Sequence, residues 1–145
     1  MRLRWRDGWG ALVVPDAGGG GLTVPDADGE GLTVPAADGG GLSVPLEIAA
    51  SYRARTRGLL GRDSVDGAML LSPANSVHTF RMRIPIDVAY LSRDLTVLAV
   101  RTMRPGRLGM PRLRARHVLE AEAGVMAGWG VRVGVRVEVT VTRSH

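Results

Sequence analysis

Apolar and polar residues alternate with a period of two over most of the C-terminal two thirds of this chain, which is the signature of strands with one buried face. Leu42, Val44, Leu46 and Ile48 alternate with Ser43, Pro45, Glu47 and Ala49, predicting a half-buried strand with its proline at a sheet edge. Ser51 then caps a short helix through about Gly58 that carries Arg53, Arg55 and Arg57, and GLLGR turns the chain back. Met69, Leu70 and Leu71 form a short apolar strand closed by Ser72-Pro73. In the next predicted strand His78, Phe80 and Met82 share one face, and Thr79, Arg81 and Arg83 share the other. Pro85 breaks that strand, residues 86–91 start another, and Arg93-Asp94 turns it into a partner over residues 95–103. Residues 104–116 read as an irregular loop, 117–120 as a brief strand, 123–129 as a helical turn and 131–141 as a long closing strand. About six short strands with little helix predict a mainly β fold with an α+β tendency. The expected form is a compact antiparallel β-sandwich or partly open barrel, with one or two short helices over an end.

The first third follows a different rule. Leu12, Leu22, Leu32 and Leu42 recur every ten residues, as do Pro15, Pro25, Pro35 and Pro45, in units close to G-L-T-V-P-x-A-D-G-x. Each unit offers three apolar side chains for burial, against the entropic cost of ordering its glycines. We therefore expect residues 1–41 to be a flexible, repetitive leader and residues 42–145 a single β-rich domain; the competing reading stacks each Leu-Thr-Val as a short strand between turns.

Charge divides at the same boundary. Residues 1–50 hold three Arg against seven acids, and residues 51–145 hold sixteen Arg against seven. Every basic residue is Arg, which fits uniform codon bias and also suits recognition of carboxylate or phosphate by the guanidinium fork. The apolar run near the N-terminus, Ala11 to Val14, is too short for a secretory signal or a membrane span, so a cytoplasmic location is expected. With no cysteine, disulfides and thiolate zinc sites are excluded. With no lysine, so is the G-x-x-x-x-G-K-[ST] phosphate loop.

The chemistry-bearing residues cluster within SVHTFRMRIPIDVAYLSRD, residues 76–94. His78 and Asp87 flank the Pro85 break, and Glu120 is placed to join them from a third strand. Such a set serves a carboxylate-oriented histidine base; alternatively, His78 and Asp87 bond to backbone groups that the break leaves open, with Asp87 pairing Arg57 or Arg83. A metal site needs a further ligand, and His117 and Glu120 would face opposite ways on a strand, so neither metal nor cofactor is assigned. Arg104, Arg107, Arg112, Arg114 and Arg116 crowd one loop and would grip nucleic-acid phosphates. That loop has no aromatic residue for bases to stack on, so nucleic acid is not the expected partner.

Several motifs resemble one family in order and spacing. Residues 54–62 (ARTRGLLGR), 67–71 (GAMLL), 77–91 (VHTFRMRIPIDVAYL), Val97 with Arg104-Pro105, and 118–124 (VLEAEAG) are similar to the bacterial domain of unknown function 192 family over roughly residues 44–139. The resemblance implies a compact, largely β fold and no particular activity. Arg81 stands where many relatives carry Trp or Gly, Gly134-Val135 where Gly-Asp is common, and Ser92 where Asp is common.

Together these features predict a small accessory domain that binds an anionic small molecule or a protein partner without turnover. His78, Arg81, Arg83, Asp87 and Glu120 would make the polar part of the site, and Met82 its apolar floor. The alternatives are a hydrolase-like or metal-assisted enzyme using His78, Asp87 and Glu120, and phosphate binding by the 104–116 loop.

Overall fold

The computed structural model describes residues 5–15, 23–25, 31–33, 41–62, 64–79 and 82–144. Nine strands and two helices are found among them: β1 Gly8–Val14, β2 Thr23–Pro25, β3 Gly31–Thr33, β4 Leu42–Ala49, α1 Tyr52–Arg57, β5 Ala68–Leu71, β6 Ile86–Leu91, β7 Val97–Met103, β8 His117–Glu122, α2 Val125–Trp129 and β9 Glu138–Ser144. Seven strands form one mixed sheet in the order β7-β6-β8-β5-β4-β1-β9. All neighbours are antiparallel except β4 and β5, which α1 connects as a parallel crossover. The fold is mainly β, as the alternation predicts.

The sheet is a partly open barrel. At the start of β7 Val97 N–H donates to Val135 C=O, and just ahead of it Leu95 C=O accepts from Val137 N–H, so this part of the chain is tied to the segment just ahead of β9. Among the described residues, the two outer strands are thereby tied near the start of β7. This tie also shortens the predicted closing strand. Val135 N–H turns back onto Arg132 C=O next to Gly134, which has φ 92°, and regular pairing with β1 begins only at Glu138.

The repeats contribute strands in a nested way. The first and fourth copies pair as β1 and β4, with Leu12 opposite Val44 and Val14 opposite Leu42. The second and third pair with each other as β2 and β3 in a separate two-stranded sheet. Thus part of the segment read as a leader belongs to the main sheet, where Leu12 and Val14 are buried. Asp7 reinforces the join: its carboxylate accepts from Ala50 N–H at 2.7 Å, Ser51 N–H at 2.8 Å and Ser51 Oγ at 2.6 Å, holding the start of α1. The flexible-leader expectation otherwise falls mostly on residues outside the described ones. Pro45 lies on an interior strand, not an edge. It is tolerated one residue short of the stretch that pairs β5, which begins at Leu46.

Both faces of the central strands are covered, so β5 and β6 are buried along their whole length. One face packs Leu12, Leu46, Leu70, Leu91 and Leu119 around Met126 and Trp129 of α2. The other packs Met69, Val88, Tyr90 and Val118 against Leu59, Val77 and Met82 in the segments beside α1 and before β6. Of the strand predicted through His78, Phe80 and Met82, Phe80 lies outside the described residues, and neither His78 nor Met82 stands in a regular strand. His78 makes a single bridge to Leu108, and Met82 N–H turns back onto Thr79 C=O at 3.1 Å. Thr79 is 0% exposed, with its hydroxyl and backbone bound to the 104–107 backbone, so Thr79 and Met82 are buried while His78 and Arg83 are exposed, and the expected pairing of faces is not kept.

Candidate functional site

A cleft opens where α1 crosses the outer face of the sheet. Ser51 starts the helix as expected, its Oγ accepting from Ala54 N–H at 3.1 Å, and Gly58 ends it with φ 47°. The six-residue helix therefore stops with Arg55 and Arg57 in its last turn, and both border the same space as Leu71 of β5 and Glu120 of β8. The wider part of the cleft, about 400 Å³, is lined by residues that include Arg55, Asn75, Ser76, Ala115 and Arg116. A narrower part of about 60 Å³ shares Arg55, Thr56, Leu71 and Ser76 with it and reaches His78, Met82 and Glu120.

Glu120 is the unusual group here. Register places it in a row across the sheet between Met69 and Val88, so its strand neighbours are apolar. The side chain is 3% exposed, and burial pushes its pKa up to about 7 against the opposing pull of the Arg62 guanidinium. Arg62 is itself engaged with Glu47, Nη1 to Oε2 at 2.9 Å and Nη2 to Oε1 at 3.2 Å. Near neutrality, then, a substantial share of Glu120 is a neutral acid able to donate its O–H. Above it, Arg55 gives one Nη1 hydrogen to Pro73 C=O at 2.8 Å, while its buried Nε has no acceptor. An orphaned buried donor is unfavourable by about 1–3 kcal/mol and invites an acceptor.

Of the residues expected from sequence, His78, Met82 and Glu120 meet in this cleft. His78 is exposed, at the rim, and Met82 is buried. Arg83 is exposed outside the lining, and Arg81 lies outside the described residues.

Asp87 belongs elsewhere. It pairs with Ala121 and so faces the side of the sheet opposite Glu120, which pairs with Val88. There its Oδ2 accepts from Gly124 N–H at 2.9 Å and Met126 N–H at 3.2 Å, and Oδ1 accepts from Thr102 Oγ1 at 2.7 Å. Helix α2 has a glycine at its N-cap with no side chain to offer, so Asp87 supplies the cap from the sheet. A His78–Asp87–Glu120 constellation is therefore not made, because a one-residue difference in strand parity puts its two carboxylates on opposite faces. Parity likewise separates His117 from Glu120. His117 is buried, with Nδ1 2.7 Å from Ser72 Oγ and its ring edge-on to Trp5. Among the described residues no group of three His, Asp or Glu is placed to hold a metal ion.

Nothing in the sequence marks Arg116 as a cleft residue, because its loop carries no strand periodicity. Arg55 was legible as a helix residue but not as a lining one.

Comparison with known proteins decides the family. The model of the domain of unknown function 192 family, described as an uncharacterized ACR, matches residues 34–139. The chain belongs to this family. Members similar to it include a UPF0127 protein of Pyrococcus abyssi, 32% identical over 98 residues that cover 64% of this chain and 84% of that one. A UPF0127 protein of Pyrococcus horikoshii is 31% identical over 85 residues, covering 55% and 74%. These relatives are archaeal, so the family is not confined to bacteria.

The fold of this domain of unknown function 192 member is shared with two solved structures. A Sinorhizobium meliloti protein, provisionally described as a transcription regulator, has a TM-score of 0.67 at 19% identity and matches over 93% of this chain and 96% of its own. A Novosphingobium aromaticivorans protein of unknown function has a TM-score of 0.66 at 18% identity, over 88% and 83%. At these identities the likeness concerns fold.

Proposed function

We propose that this domain binds a small anionic molecule in the cleft beside α1, without turnover, and works in the cytoplasm. The observation that carries the proposal is the buried Nε of Arg55, which has no acceptor and borders both parts of the cleft. A carboxylate or phosphate oxygen meets such a donor with a charge-assisted hydrogen bond, and Arg116 adds a second guanidinium at the same mouth. A volume of about 400 Å³ suits a small molecule. The narrow extension, with Met82 and the protonated form of Glu120, favours a ligand whose anion stays at the mouth while a neutral acceptor reaches inward.

The test uses the full chain in two-dimensional NMR, with acetate, citrate, inorganic phosphate and a nucleoside monophosphate as probes. Binding is expected to move the Arg55 Nε–Hε resonance and the amides of Ala74 and Ser76 saturably, and Arg55→Gln is expected to weaken it at least tenfold. No saturable shift with any probe at millimolar concentration, or equal affinity in Arg55→Gln, overturns the proposal.

A further inference from the structure

The 104–116 loop presents an unusual surface. Leu108 is 70% exposed, Met110 75% and Leu113 93%, three large apolar side chains directed outward within six residues. Around them stand Arg104, Arg107, Arg112, Arg114 and Arg116, and residues 104–116 contain no acid. Scattered apolar side chains are normal on a protein surface, but a cluster rimmed by one sign of charge marks an interaction site.

The loop's backbone is held in place. Thr79 Oγ1 donates to Arg104 C=O at 2.7 Å and accepts from Arg107 N–H at 2.7 Å, and Thr79 C=O accepts from Gly106 N–H. Gly109 N–H donates to Val77 C=O and Arg112 N–H to Asn75 C=O. Gly109 packs so closely that a Cβ there would lie 2.7 Å from the Tyr90 hydroxyl. Arg112 lies over the Tyr90 ring, 5.2 Å from its centre. The three apolar tips are therefore displayed from an anchored frame, with their burial against the domain prevented by the same bonds.

We infer that this loop docks the domain on an anionic lipid surface, with Leu108, Met110 and Leu113 entering the headgroup and acyl boundary and the exposed Arg104, Arg107 and Arg114 meeting lipid phosphates. Charge complementarity selects an anionic occupant, and the aliphatic tips separate lipid from nucleic acid. Phosphates alone give Leu and Met side chains nothing to bury against, and the loop offers no aromatic ring for bases. An interfacial anchor of this kind needs no spanning segment. Among the described residues no helix is long and apolar enough to cross a membrane.

Flotation of the full chain with vesicles tests this. Vesicles of equal phosphatidylglycerol and phosphatidylcholine are expected to carry the protein at least tenfold better than phosphatidylcholine alone, with binding falling steeply as salt is raised. Leu108→Ser, Met110→Ser and Leu113→Ser together are expected to remove at least nine tenths of the binding while the circular dichroism spectrum is unchanged. Equal partition to both vesicle types overturns the inference, as does undiminished binding by the triple variant. So does affinity for a duplex or single-stranded oligonucleotide that exceeds vesicle binding and survives the triple substitution, which would assign the arginines to nucleic acid.

Discussion

The two faces of the central sheet each bury one carboxylate, and they treat it in opposite ways. On the face that holds α2, Asp87 is 3% exposed and surrounded by three hydrogen-bond donors, two from the backbone at the start of α2 and one from Thr102. Its row across the sheet continues through Ala121 and Ala68, small residues that leave room for the helix. On the face that holds α1, Glu120 is buried to the same 3%, yet its row offers Met69 and Val88, and its pKa rises. Equal burial thus does not mean equal role. A carboxylate supplied with donors fastens the fold, whereas one confined among apolar side chains at a cleft keeps a proton in the range where ligands and pH act on it.

The largest expected effect separates the two. Asp87→Ala leaves Gly124 N–H and Met126 N–H without their acceptor and should lower stability by about 4 kcal/mol. Urea denaturation measures this, and cleft binding by the folded fraction should not change. A loss under 1 kcal/mol would mean that α2 does not depend on this cap.

The second is a pH dependence of defined sign. The folded-state pKa of Glu120, about 7, lies above its unfolded value of 4.5, so the folded protein holds the proton more firmly. The resulting stabilisation is fully present below pH 4.5 and is lost as pH rises through about 7. Across that window, wild type should lose on the order of 3 kcal/mol relative to Glu120→Gln. Parallel pH profiles for the two proteins would place the Glu120 carboxyl in contact with solvent.

The smallest effect runs the other way. Burial holds the His117 pKa below its ordinary 6.5, with Arg116 adding to the shift. His117 therefore contributes stability that is complete above pH 6.5 and is lost as pH falls towards its folded value. An NMR titration of the imidazole should give a midpoint under 6.5, and His117→Gln should flatten this acid limb. Just below pH 6.5 the Glu120 and His117 contributions oppose each other, so only the separate variants reveal either.

Much of the outline was legible in the sequence, for reasons that lie in short-range physics. The alternation at Leu42, Val44, Leu46 and Ile48, the Ser51 cap with its Gly58 stop, the turn at Arg93-Asp94 and the helical turn before Trp129 all depend on residues a few positions apart. Residues 77 and 79 depart from the predicted strand pattern because their hydrogen bonds go to a loop some 28 residues away, where Thr79 is the buried anchor. The family motifs marked His78, Met82, Asp87 and Glu120, but marked residues in separate strands carry no label for which face they share. Arg55 and Arg116 became neighbours in one cleft only through the β4–α1–β5 crossover and the path of the loop before β8.

By itself, then, the sequence determined most of the strands and both helices after residue 42, the mainly β class, the family, and a basic C-terminal part without thiol or P-loop chemistry. These follow from side-chain period, capping and composition, which act locally. Tertiary structure decided that the first repeat joins the sheet, that its outer strands meet at one end, and that Asp87 and Glu120 lie on opposite sides of it. Those outcomes depend on strand register and pairing between distant segments, where a shift of one residue exchanges the two faces and local pattern has nothing to say.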